Sequence, residues 1–291
     1  MPFAVRPQFD WRLRTRSLAL GQRTLIMGIL NATPDSFSDG GQFLDPRTAL
    51  THALQMLDDG ADILDLGGES TRPNSTPVTP AEEQARVLPV LRAILAARPD
   101  TVLSIDTYHA ETARLAIESG AEIVNDVSGL LWDDAMAATC ASLDCGTILM
   151  HTRGRPQQWR TLPALAPDEV LPLVLRELRA RTHAALAAGI RRDAIVLDPG
   201  FGFGKSFDEN FPLLAHLDAL HALGFPLLAG LSRKGFLRHA LQQAESTHVL
   251  QDANTAANTA AILAGAHILR VHDVRPARQA AAIADRTLAA R

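Results

Sequence analysis

Short apolar runs along the chain each end on polar or charged residues, and these residues sort by the chemistry open to them. Arg72, Lys234, Arg270 and His272 carry or can carry positive charge and suit an anion, whereas Asp106, Asn125 and Asp198 offer acceptors to a ring bearing N–H groups. A carboxylate can accept two parallel hydrogen bonds from a planar amino-amide edge, much as it does from a guanidinium, and Asp198 is assigned that contact. Asn31, the run Glu69 to Arg72, Asp126, His151, Arg153, Ser232, Arg233 and Asp273 complete the set. Any one of these residues could simply cap a helix or satisfy loop backbone. A whole rim of them is different, because a buried charge destabilises unless it has a partner. The collection therefore points to a flat nitrogen heterocycle that carries phosphate.

Glycines at Gly67, Gly68, Gly200, Gly202 and Gly204 would let backbone approach such a ligand closely, although turn formation alone explains them equally well. The run Asp198 to Lys205 has the spacing of neither a dinucleotide fingerprint nor a Walker loop. Cys140 and Cys145 have no second pair and no histidine cluster nearby, so they are expected as reduced core residues. His52, His183, His216, His221 and His248 lack ligand spacing and are expected at the surface.

The elements that must position the polar residues follow from the pattern of the apolar runs. Strands are predicted at Thr24–Ile29, Asp62–Leu66, Thr101–Ile105, Glu122–Asn125, Thr147–Met150, Ile195–Asp198, Pro226–Ala229 and His267–Arg270. Being apolar on both faces, they belong in a parallel sheet covered by helices. Helical periodicity lies between them, as at Leu50, Ala53, Leu54 and Leu57 and again at Leu171, Val174, Leu175 and Leu178. Gly60, Gly120, Gly189 and Gly224 end helical patterns just before strands, which predicts tight helix-to-strand turns. The strand-to-helix segments 31–46, 67–80 and 151–167 are longer and more polar. Eight β/α units predict an α/β chain folded as one (β/α)8 TIM barrel domain over residues 1–291, with the polar residues gathered where the strands end. The segment Phe3–Arg23, around Trp11, Leu13 and Leu18, is expected as a short extension, a hairpin closing the barrel's N-terminal mouth.

Composition excludes several classes. The 291 residues are 47% hydrophobic and 21% charged, the balance of a packed globular protein. A net charge of -4 with no run of Lys or Arg argues against a nucleic-acid-binding face. No apolar stretch reaches the length of a membrane span or follows the N-terminal arginines as a signal-peptide core, so no membrane partner and a cytoplasmic location are expected.

The motifs MGILNATPDSFSDGG (27–41), GADILDLGGESTRP (60–73), SIDTY (104–108), IVNDVSGL (123–130), LMHTRG (149–154), LDPGFGFGK (197–205), GLSRK (230–234) and RVHDV (270–274) together resemble the dihydropteroate synthases. The resemblance implies an enzyme that condenses 4-aminobenzoate with a dihydropterin methyl diphosphate, releasing diphosphate, in folate biosynthesis. It implies a pterin pocket formed by Asp106, Asn125, Asp198, Phe203, Gly230 and Lys234, and a diphosphate site formed by Asn31, Thr71, Arg72, Arg270 and His272. Asn31 would also reach a Mg2+ ion, the aminobenzoate site would use Phe37, Thr71, Pro73 and Ser232, and Asp106, Lys234, Arg72 and Asp35 would carry catalysis. The two long segments holding Asp35 and Arg72 would close over the diphosphate before the second substrate binds. A homodimer through late barrel helices is expected as well.

Departures from the family pattern occur at His109, Thr152 and Gly235 and across residues 238–258. A methyltetrahydrofolate-dependent corrinoid methyltransferase would share barrel and pterin pocket, but it has no diphosphate to hold, which leaves Asn31 and the TPDSFSDGG and STRP segments without a purpose. A catalytically silent paralogue acting as a binding module would not need the full motif set.

Overall fold

Alternate residues along the apolar runs fall into two buried sets, and that split decides the architecture. On β4 (Ile63–Gly67), Leu64 and Leu66 pack with helix residues such as Val87, Leu91 and Ile94, whereas Ile63 packs with Met27, Val102, Ile123, Ile148, Val196, Leu228 and Ile268. A sheet buried on both faces needs a helix layer outside and a filled interior. The computed structural model, which describes residues 3, 5–32, 46–69, 78–241 and 247–290, has this arrangement. Asp35, Phe37, Thr71, Arg72 and Pro73 lie outside the described residues.

Besides β4, the barrel strands are β3 (Leu25–Asn31), β5 (Val102–Asp106), β6 (Ile123–Asp126), β7 (Gly146–Met150), β8 (Ile195–Asp198), β9 (Leu228–Ala229) and β10 (Ile268–Val271). They pair in parallel in the order β8-β7-β6-β5-β4-β3-β10-β9, and a parallel bridge between Leu197 and Leu227 joins the two ends. The expected (β/α)8 barrel is therefore present. Around it lie α1 (Pro46–Asp58), α2 (Pro80–Ala97), α3 (Ala110–Glu118), α4 (Met136–Leu143), α5 (Pro167–Ala187), α6 (Asn210–Ala215), α7 (Gly235–Ala240), α8 (Thr247–Leu263) and α9 (Val274–Ala289).

Helix-to-strand turns repeat one device. After α1, α3 and α5 a glycine takes positive φ, and the next residue donates its N–H five residues back, from Ala61 to Met56 O, Ala121 to Ala116 O and Ile190 to Ala185 O. This is the bonding of a Schellman cap, and it turns the chain directly into the next strand.

β9 is shorter than the sequence predicts, because the Leu227 N–H is diverted from the neighbouring strand and the residue keeps only an isolated bridge to Leu197. That N–H is bonded to His267 Nδ1 at 3.1 Å, while the Leu227 carbonyl accepts from both His267 N and Ile268 N.

β1 (Phe9–Arg12) and β2 (Ser17–Leu20) form the antiparallel N-terminal hairpin. Trp11, Leu13 and Leu20 pack onto the inward residues at the N-terminal strand ends, and Trp11 Nε1 donates to Ala194 O at 2.9 Å. Burial of Trp11 is what closes this mouth. The expected free, buried state of Cys140 and Cys145 is also seen. His221, expected at the surface, is instead half-buried, its ring standing edge-on to buried His267 at 5.4 Å.

Candidate functional site at the C-terminal mouth

Side chains alternate across a strand, so the residues two and four positions beyond the bottom inward layer face the barrel interior near its other end. Counting from Met27, Ile63, Val102, Ile123, Ile148, Val196, Leu228 and Ile268 reaches Asn31, Asp65, Asp106, Asn125, Met150, Asp198, Gly230, and then Arg270 and His272. The same period that makes the apolar floor thus lifts a polar set into one mouth.

These groups bond to one another. The Arg270 guanidinium donates through Nε to Asp65 Oδ2 and through Nη2 to Asp106 Oδ2. Asn125 Nδ2 donates to the same Asp65 oxygen at 2.9 Å, so four residues from four strands form one chain of polar contacts. On the opposite wall, Asp198 Oδ1 accepts the Gly200 N–H at 2.7 Å. A side chain at Gly230 would sit 3.7 Å from Asp198 Oδ2 and 3.9 Å from Arg270 Cβ, so the bare backbone there leaves room between those two residues. Lys234 Nζ lies 3.9 Å above the Phe203 ring, a cation–π contact. Ser232 Oγ meets His272 Nδ1 at 3.0 Å and accepts from His272 N.

Burial dominates the electrostatics. It pushes the carboxyls of Asp106 and Asp198 up, with Arg270 opposing the rise at Asp106 and the Gly200 N–H bond opposing it at Asp198. Burial followed by repulsion from Arg270 lowers the Lys234 ammonium to about 8, against the pull of Asp198 and Asp106. A raised carboxyl and a lowered ammonium gathered in one mouth mark it as a candidate functional site.

Asp106, Asn125, Asp198, Phe203, Gly230, Ser232, Lys234, Arg270 and His272 therefore meet at one mouth, with Asn31 on its rim at the end of β3. Sequence reasoning missed Asp65. The available signal was a carboxylate in the middle of an otherwise apolar strand, which can be buried only if something pairs with it. It also gave no role to the layer behind β7 and β8. There Arg181 of α5 donates to Met150 O and Thr152 O, and burial holds fully enclosed His151 down at about 3 beside Glu177.

The departures have local accounts. The His109 ring lies tilted against that of Tyr108, centroids 4.2 Å apart, with Nε2 3.8 Å from Glu69. The Thr152 hydroxyl donates to Gly154 O. Gly235 begins α7 with open space where a side chain would be. In the divergent segment, Asn254 Oδ1 accepts the N–H of Arg233, which is held at a φ of 59° between Ser232 and Lys234. That bond fixes a turn that most side chains resist.

Comparison with known proteins agrees with this geometry. A family model described as pterin binding enzyme matches residues 27–272. A dihydropteroate synthase from Synechocystis sp. is 41% identical over 277 residues, 95% of this chain and 91% of its own. A Xanthomonas albilineans dihydropteroate synthase solved with 4-aminobenzoic acid superposes with a TM-score of 0.87 at 40% identity, covering 98% of this chain and 99% of that one. A Clostridium difficile dihydropteroate synthase solved in the presence of pteroic acid gives 0.84 at 39% identity, covering 92% and 98%.

Proposed function

The chain belongs to the dihydropteroate synthases, and on that premise we propose that it joins 4-aminobenzoate to (7,8-dihydropterin-6-yl)methyl diphosphate, forming 7,8-dihydropteroate and diphosphate. The observation that carries this reading is the polar chain Asn125–Asp65–Arg270–Asp106 facing Asp198 and Lys234 across one mouth. Asp198 takes the amino-amide edge of the pterin through the oxygen that Gly200 leaves available, and Asn125, Asp106 and Lys234 meet its remaining ring atoms. Phe203 packs against it, and Gly230 gives it room.

An aniline nitrogen is a poor nucleophile, so the rate gains most where the leaving group is stabilised. As the bond between the methylene carbon and diphosphate oxygen breaks, its electron pair goes to the diphosphate. Arg270 and His272, with Asn31, Thr71 and Arg72, hold the growing charge. The pterin ring delocalises the cation, the amine of 4-aminobenzoate forms the C–N bond, and the amine's proton is lost. Lys234 and Asp106 stand where protons of the ring can be held. Phe37, Thr71, Pro73 and Ser232 form the second substrate's site, and Asp35 helps organise the closed state.

No cluster of three His, Cys, Asp or Glu side chains able to cage a metal is found among the described residues. Asn31, a single neutral oxygen donor at the rim, fits a Mg2+ ion held mainly by substrate oxygens. When bound there the ion would neutralise diphosphate charge.

We take the chain as one barrel domain over residues 1–291 that works as a cytoplasmic homodimer. No described helix is long and apolar enough to cross a membrane. Phe207 and Phe211 stand exposed around α7, near the similarly exposed Leu241, an apolar face suited to a second copy. The deciding assay supplies both substrates and follows diphosphate release and dihydropteroate formation. Absence of both from folded protein would leave a binding module, and methyl transfer to a corrinoid would mark the other pterin chemistry.

A further inference from the structure

Lys205 ends the run Asp198–Lys205 as a lysine with only 5% exposure, and among the described residues its hydrogen bonds go to backbone carbonyls and not to a carboxylate. Burial drives its ammonium well below the usual lysine range. Its polar partners are three carbonyl oxygens, Gly200 O at 2.7 Å, Phe203 O at 3.4 Å and His151 O at 3.5 Å. Two come from the segment leaving β8 and one from the end of β7. These backbones are in direct contact, since a side chain at Gly200, whose φ is +66°, would come within 1.9 Å of His151 O. Carbonyl oxygens crowded in this way repel one another unless a donor sits among them, and the ammonium supplies three N–H groups to three acceptors.

Each tethered carbonyl belongs to a residue that touches the mouth or adjoins one that does. Gly200 donates its own N–H to Asp198 Oδ1, His151 donates its N–H to Asp198 O at 2.9 Å, and Phe203 carries the ring beneath Lys234. We propose that Lys205 is a positioning residue for pterin recognition. By drawing the carbonyls of His151, Gly200 and Phe203 together, it aims the Asp198 carboxylate and the Phe203–Lys234 pair into the mouth. The inference rests on the assignment of Asp198 and Lys234 to the pterin.

The test is steady-state kinetics of full-length Lys205→Met with each substrate varied in turn. Loss of a buried charge-assisted anchor predicts a rise in KM for the pterin diphosphate of about 30-fold, with KM for 4-aminobenzoate within about 2-fold. A purely structural defect would move both constants together. Lys205→Ala with added ethylammonium chloride should recover pterin affinity, whereas tetramethylammonium chloride, which has no N–H group, should not. If Lys205→Met does not accumulate as folded protein, Lys205→Gln carries the same readout. A pterin KM within about 2-fold of wild type, equal changes in both constants, or no ethylammonium rescue overturns the proposal. Asp198→Asn runs alongside: an unchanged pterin KM in that variant removes the Asp198 assignment and the proposal built on it, whereas a raised pterin KM in Asp198→Asn beside an unchanged one in Lys205→Met overturns the role of Lys205 alone.

Discussion

Asp65→Asn is the most informative single change in the mouth. Asp65 is fully enclosed, and its Oδ2 accepts from both Arg270 Nε and Asn125 Nδ2, while Oδ1 has no hydrogen-bond partner among the described residues. Asparagine fits the same volume, with its oxygen in the place of Oδ2 and its amide nitrogen in the place of Oδ1, so the effect should be electrostatic and not steric. Removing one partner of a buried ion pair costs about 3–5 kcal/mol when the other is left alone. Arg270 is not left alone, because Asp106 still accepts from Nη2, and the loss should fall to about 2–3 kcal/mol. A separate loss of leaving-group stabilisation of about 2–3 kcal/mol, if the displaced guanidinium no longer faces the diphosphate, lowers kcat/KM for the pterin diphosphate by roughly 30- to 150-fold at 1.36 kcal/mol per tenfold. Continuous detection of released diphosphate, with the pterin substrate varied and 4-aminobenzoate saturating, gives the number, and a thermal melt of the same sample reports the stability cost. A kcat/KM within threefold of wild type, at unchanged melting temperature, would refute the view that Asp65 organises Arg270.

Two further changes concern ionisation outside the mouth, and a third concerns the first long segment. His267 is buried and held at about 3, chiefly by burial, so its neutral form belongs to the fold. Its folded pKa lies below the unfolded value of about 6.5, so its contribution is intact above that value and is lost as pH falls toward 3. Denaturation of wild type and His267→Gln should show wild type losing about 2 kcal/mol more between pH 7 and 5, and parallel curves would reject this. Glu83, 1% exposed, is raised to about 7 by burial despite bonds from Thr107 and Thr112. An acid raised on folding stabilises fully below its unfolded pKa and loses that contribution as pH rises through 7, so Glu83→Gln should melt higher than wild type at pH 8 and not at pH 4.5; the same difference at both pH values would contradict it. Asp35→Ala should lower turnover and diphosphate affinity, and unchanged values for both would remove Asp35 from the closed state.

Much was legible in the sequence because it is written in local periods. Doubly apolar runs separated by 3.6-period stretches call for a covered parallel sheet, and eight such units match the size of a closed barrel, whose closure the bridge between Leu197 and Leu227 completes. Period-two alternation also carries Asp106, Asn125, Asp198 and Arg270 inward, so their convergence follows once the barrel closes. Sequence could not choose which of these groups pair. Arg270 meets Asp65 and Asp106 only because β3 and β10 stand beside β4 and β5 in the closed sheet, and those contacts span 205 and 164 residues. The tertiary structure likewise decided that Lys205 turns inward onto carbonyls, that His221 is drawn against His267, and that β9 shrinks to two residues. Each of these depends on how neighbouring strand ends crowd one another, a distance that no pattern along the chain contains. Types and directions of side chains are local properties, whereas partners are set by closure.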